Sequence, residues 1–173
     1  MDRQGVRHVS ENWSGMTNVK GDEDKAMGKD SEAVQKFLDG NVCSQAVLGH
    51  YCQRFNLDRS TALKIAAGFG AGMQMGKTCG VISGAYMVLG LKFGTVASDK
   101  PEGRKDVYNA VVEFTRTFKE RHGTTDCREL LGCDISTDEG SETARDQNLF
   151  TTVCPRFVRD ATELLDAIID KKP

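Results

Sequence analysis

Residues 79–91 read Cys-Gly-Val-Ile-Ser-Gly-Ala-Tyr-Met-Val-Leu-Gly-Leu. A helix drawn through them is apolar on almost every face, and such a helix belongs inside a protein. The run from Val81 to Leu91 is too short and too glycine-rich to span a bilayer. The stretch therefore predicts a buried central helix. Gly76, Gly80 and Gly84 are spaced four apart, so a second helix backbone can come close along that face.

Just before it lies a glycine loop, with Gly68, Gly70, Gly72, Gly76 and Gly80 close together. Glycine tolerates positive φ, so a tight loop is expected. It is not a phosphate loop: Gly72-Met-Gln-Met-Gly76-Lys77-Thr78 has the wrong spacing, and no strand precedes it.

Upstream, Ser31 caps a predicted helix to Leu38, and Gly40 stops it. A second helix runs from Val42 to Arg54, with Ala46, Val47, Tyr51 and Phe55 as its stripe. Asp58 caps a third over 59–67. Downstream, Asp99 and Pro101 open a helix whose stripe is Val107, Ala110, Val111, Phe114 and Phe118, ending at Gly123. A short helix covers 126–131, and 134–148 reads as a polar loop with a partial turn of helix. Pro155 opens the last helix, where Phe157, Val158, Ala161, Leu164, Leu165, Ile168 and Ile169 share one face. No strand pattern emerges. The fold class predicted is all-α, a bundle of five to seven helices with a glycine-rich loop before a buried central one. Residues 30–173 form the helical domain. Residues 1–29 read as a flexible arm, on which Trp13 is a candidate anchor.

The chain has 173 residues, enough for one domain. Hydrophobic residues make up 39% and charged residues 28%, an ordinary globular balance. The net charge of −2 disfavours nucleic acid, which calls for a basic face. No signal peptide or membrane span is apparent, so the expected compartment is the cytoplasm, where thiols stay reduced. Six cysteines then suggest metal or redox chemistry rather than stapling.

On the predicted helices, Cys43, Cys79, Cys127 and Cys154 all sit at N-termini. Unpaired N–H groups and the helix dipole favour an anion there, so their thiol pKa values are expected to fall. Cys52 lies on the opposite side of its helix from Cys43 and reads as a core residue. Cys133 follows a helix end near Cys127 and is a secondary candidate. No Cys-x-x-Cys occurs, and His8, His50 and His122 have no zinc-finger spacing. His122 lies near a helix C-terminus, where the dipole favours a cation. Gly76 and Gly80 allow close backbone approach to a bound cofactor, and Lys77 stands near Cys79 in sequence, where it can stabilise a thiolate.

These blocks resemble a known family, named for its cysteine pattern C_GCAxxG_C_C and described as putative redox-active proteins. The carriers are Cys43-Ser-Gln-Ala-Val47, Ala66-Ala-Gly-Phe-Gly-Ala-Gly72, residues 79–91, Cys127-Arg-Glu-Leu-Leu-Gly132 and Cys154. The resemblance runs from Asn41 to Ile169. It implies that Cys43, Cys79, Cys127 and Cys154 are the four cysteines of the name. The pattern departs at Thr78 and Gly80, which flank Cys79 where the name expects Gly and Ala.

Two redox chemistries remain open. Four thiolates can ligate an iron–sulfur cluster or one tetrahedral zinc. Alternatively they form a dithiol/disulfide couple, as in an oxidoreductase or electron-transfer protein. A third reading is a non-catalytic binding or structural module with reduced core cysteines. A redox partner protein is expected for the first two. Met73, Met75 and the apolar central helix predict a homodimer that covers them.

Overall fold

The computed structural model describes residues 32–96 and 101–171. The predicted arm, its Trp13, the Ser31 cap and the Asp99 start lie outside those residues. The architecture is an all-α bundle, as the periodicities predict. Its helices are α1 (Glu32–Leu38), α2 (Cys43–Tyr51), α3 (Arg59–Ala66), α4 (Gly80–Phe93), α5 (Pro101–His122), α6 (Cys127–Leu131), α7 (Asp138–Asp146), α8 (Leu149–Thr152) and α9 (Cys154–Ile169). A 3₁₀ turn follows α2 at Gln53–Phe55, so the second helix ends earlier than its stripe suggests.

α4 is the central element. Val81, Ile82, Ala85, Val88 and Leu89 are buried, and α2, α5 and α9 pack around it. The cover that the apolar run demands therefore comes largely from within the chain. The closest approach is between α4 and α2. A Cβ on Gly84 would lie 2.9 Å from the Ser44 carbonyl oxygen and 3.0 Å from the Val47 Cβ. Gly84 thus serves the helix approach expected of it. Gly76 does not, because it belongs to a separate turn with positive φ.

Side chains fasten α2 to its neighbours. Ser44 Oγ donates to the Ala66 carbonyl (2.8 Å), and Gln45 Nε2 to that of Leu63 (3.0 Å). The Val42 N–H, orphaned at the helix start, donates to Gln45 Oε1 (3.0 Å). Tyr51 Oη reaches the Thr162 carbonyl (2.9 Å) and Asp166 Oδ1 (2.8 Å), tying α2 to α9. Asp58 caps α3 as expected, accepting from the Thr61 N–H (2.8 Å). Phe114 and Phe118, fully buried on α5, stack with centroids 6.0 Å apart.

Residues 134–148 depart from expectation. They contain a full helix, α7, rather than a loop with a partial turn. Thr137 caps it, its Oγ1 accepting from the Gly140 N–H (3.1 Å). The helix buries only Gly140 and Ala144, so it has no bulky stripe to read. Among the described residues no strand forms; the extended pairing is a single antiparallel bridge between Thr78 and Asp126.

Candidate functional site

The Thr78–Asp126 bridge organises the cysteines. The Cys79 N–H donates to the Thr125 carbonyl (2.9 Å), and the Cys127 N–H to that of Lys77 (2.6 Å). Two chain segments distant in sequence are thereby pinned so that Cys79 caps α4 beside Cys127, the first residue of α6. Asp126 Oδ1 accepts from the Arg128 N–H (3.2 Å) and starts α6. Cys43 and Cys154 are the first residues of α2 and α9. All four thus stand at helix N-termini.

All four also line one cavity of ≈ 130 Å³. Its remaining walls are apolar, including Phe37, Leu131, Ile135, Phe150 and Phe157. Cys79 and Cys127 are buried; Cys43 and Cys154 are half-buried. The Cys79 thiol lies next to those of both Cys43 and Cys127.

At Cys79 and Cys154 the electrostatics run against the expected acidity. Cys43 is pushed down, from 9.0 to about 7. The Cys79 thiol facing it is the main cause, and the peptide N–H groups of Ala71 and Ser44 add to it against the cost of burial. Cys79 is pushed well up, by its contacts with Cys127 and Cys43 and by burial, so it keeps its proton. Cys154 is pushed up to about 12, first by burial and then by the charges of Cys43, Cys127 and Cys133. The helix-terminal preference for an anion is outweighed at Cys79 and Cys154. A low-dielectric cavity accommodates one thiolate readily, and that charge opposes the next.

Gly76, Lys77 and Gly80 stand outside the cavity lining. A Cβ on Gly80 would overlap the Cys43 sulfur and lie 3.0 Å from the Phe69 carbonyl oxygen. Gly80 makes room for a thiol. Gly76 sits in a positive-φ turn against Asp134. Lys77 contributes its carbonyl to Cys127, while its exposed side chain lends charge to Asp134 rather than to Cys79. Cys52 is a core residue, as expected: fully buried, its Sγ is 3.1 Å from the Gly49 carbonyl oxygen. Cys133 is half-buried and does not line the cavity; burial and the charges of Cys127 and Asp134 push its pKa up.

Sequence reasoning missed Ala71 and Arg128. Ala71 lines the cavity and directs its N–H at Cys43. Arg128 Nη2 donates to the Met75 carbonyl (2.9 Å) across the glycine loop. An alanine carries no chemical signal, and nothing local announces a guanidinium that bonds to a loop fifty residues away.

Among the described residues no group of three or more His, Cys, Asp and Glu side chains is arranged to hold a metal ion as it stands. A polynuclear iron–sulfur cluster makes a different demand: thiolates spread around a cavity, each meeting its own iron. Four cysteines lining one largely apolar cavity supply donors of that type.

A family model described as "Putative redox-active protein (C_GCAxxG_C_C)" matches residues 41–168. No curated protein and no solved structure matches the chain. Among the described residues no helix is long and apolar enough to cross a membrane.

Proposed function

The chain belongs to the C_GCAxxG_C_C family of putative redox-active proteins, and from that premise we propose that its redox centre is an iron–sulfur cluster held in the cysteine-lined cavity by Cys43, Cys79, Cys127 and Cys154. One observation carries this reading: four cysteines on four separate helix N-termini line a single apolar cavity. A cavity of ≈ 130 Å³ forfeits about 3 kcal/mol of packing at roughly 24 cal/mol per Å³, which a bound group restores. When bound, such a cluster supplies one-electron transfer.

The chain's own residues do the rest. Cys43 offers a thiolate near neutral pH, held by the Ala71 and Ser44 N–H groups. Cys79 and Cys154 hold their protons until a bound metal displaces them, so loading liberates protons. The N–H groups of the four helix starts favour negative charge in the cavity. The aromatic and aliphatic walls exclude water. Electrons are exchanged with a partner protein.

The contact between Cys43 and Cys79 favours a second reading, a dithiol/disulfide couple. An acidic thiolate against a protonated thiol is the pairing that closes to a disulfide, releasing two electrons to a partner and the Cys79 proton to solvent.

Anaerobic purification with a visible spectrum and iron analysis separates the two. The expected result is visible charge-transfer absorbance with stoichiometric iron, lost in Cys127→Ser and Cys154→Ser. Protein that stays iron-free after reconstitution overturns the cluster. A Cys43–Cys79 disulfide found by peptide mapping, reversible with dithiothreitol, then establishes the couple. Without iron or a reversible disulfide, both readings fail.

A further inference from the structure

Five residues of the turn that precedes α4 hold positive φ: Ala71 (52°), Gly72 (60°), Met73 (60°), Gln74 (59°) and Gly76 (61°). Glycine adopts this conformation freely, but Ala71, Met73 and Gln74 do not. A left-handed run through three side-chain-bearing residues persists only where the surroundings hold it, and such strain gathers at working sites.

The clamp is visible. Arg128 Nη2 donates to the Met75 carbonyl (2.9 Å), and its Nε to that of Gly76 (3.4 Å). The guanidinium is itself held by Asp134, with Nη1 3.0 Å from Oδ2, and by Asp126, 3.6 Å from Nε. Gly76 permits this close fit, since a Cβ there would lie 2.8 Å from Asp134 Oδ1. The clamped turn in turn walls the cysteine cavity. Ala71 lines it, and a Cβ on Gly72 would lie 3.0 Å from the Cys127 Cβ. Met75, at the outer end, is exposed.

We propose that residues 71–76 form a strained lid over the cysteine cavity, and that Arg128, anchored by Asp134, is the latch that keeps it shut. Arg128 is a positioning residue: it meets the lid's carbonyls and no sulfur. Breaking the latch releases the turn toward ordinary backbone geometry and uncovers Cys79 and Cys127 to ions and small thiol reagents. The device operates whether those thiols hold a cluster or form a disulfide, so its test fails or succeeds separately from the proposed function.

Hydrogen exchange read by mass spectrometry on the full-length chain is the first test. Arg128→Gln should speed exchange across 71–77 by tenfold or more and leave the α4 and α9 interiors unchanged, while Arg128→Lys falls between. N-ethylmaleimide labelling of the chelator-treated, reduced chain is the second. In Arg128→Gln, Cys79 and Cys127 should label at least tenfold faster, with buried Cys52 unchanged as the reporter of global opening. Ala71→Gly and Gln74→Gly, which relieve the strain, should slow labelling of both cysteines. Where Arg128→Gln does not fold, Asp134→Asn loosens the same latch. Unchanged exchange at 71–77, parallel acceleration of Cys52 and Cys79, or glycine variants that do not slow labelling would each overturn the lid.

Discussion

A glycine decides the placement of the Cys43 sulfur. Gly80 lies where any Cβ would overlap it, with the Phe69 carbonyl oxygen at 3.0 Å and the Ser44 nitrogen at 3.1 Å closing the other directions. Those backbone atoms cannot turn aside as a flexible side chain does. Gly80→Ala should therefore cost about 2 kcal/mol through overpacking and displace Cys43, read as a lower urea midpoint and a changed alkylation rate at that thiol. Gly90 is the matched control on the same helix: nothing stands within 4 Å of its Cβ position. Gly90→Ala should stabilise by roughly 0.5–1 kcal/mol, from helix propensity alone. Two identical substitutions on α4 thus have opposite signs. The family name has alanine beside this cysteine, whereas in this chain the Cys43 sulfur takes the space a Cβ would need.

Among the elements, legibility followed the apolar stripe. α5 and α9 were readable because Phe114, Phe118, Val158 and Leu165 recur at helical spacing, and that spacing exists because one face is buried. α4 was readable from the opposite signal, a run apolar on all sides. α7 carries neither, since Gly140 and Ala144 are its only buried residues. Its signals were terminal: Thr137 as cap, Asp138 and Glu139 in the first turn, Arg145 in the last. A helix held mainly by its ends should respond strongly to loss of a cap. Thr137→Ala removes the bond to the Gly140 N–H (3.1 Å) and that to the Asp134 carbonyl (2.9 Å). We expect a loss of about 1 kcal/mol, seen as several-fold faster hydrogen exchange in 138–146 with little change in α4. The candidate site shows the same division. Four cysteines could be placed at helix starts from caps and prolines, but their convergence on one cavity is a tertiary fact, set by the Thr78–Asp126 bridge and by the approach of α2 to α4. The thiol acidities were misread for the same reason: the dipole acts within one helix, whereas burial and mutual repulsion act across four.

For the molecule as a whole, competition between a local field and burial sets how stability follows pH. His122 ends α5, where the dipole would favour its cation, yet its side chain is only 1% exposed. The ring lies between Phe118 (centroids 4.4 Å apart) and Phe157 (5.0 Å). Its Nε2 stands 2.9 Å from Asp160 Oδ2, and the Arg156 guanidinium approaches Nδ1 at 3.4 Å. Burial prevails and lowers the pKa below 6.5, with the Asp160 charge opposing and Arg156 and Arg121 reinforcing. In the unfolded chain the imidazole takes up its proton near 6.5. Between that value and the lowered folded one, the unfolded state binds more protons, so stability rises with pH there. Above 6.5 the imidazole is neutral in both states and the stabilisation is complete; it is lost as pH falls through the window toward the folded value. One proton limits the slope to about 1.4 kcal/mol per pH unit. His122→Gln keeps a polar group of similar reach but cannot titrate. Urea unfolding at pH 8, 6.5 and 5 should show the native chain losing more stability on acidification than this variant, with the curves converging in shape above pH 7. Equal losses in both proteins would mean that folding leaves the His122 pKa unmoved, and a smaller loss in the native chain would mean that Asp160 rather than burial governs it.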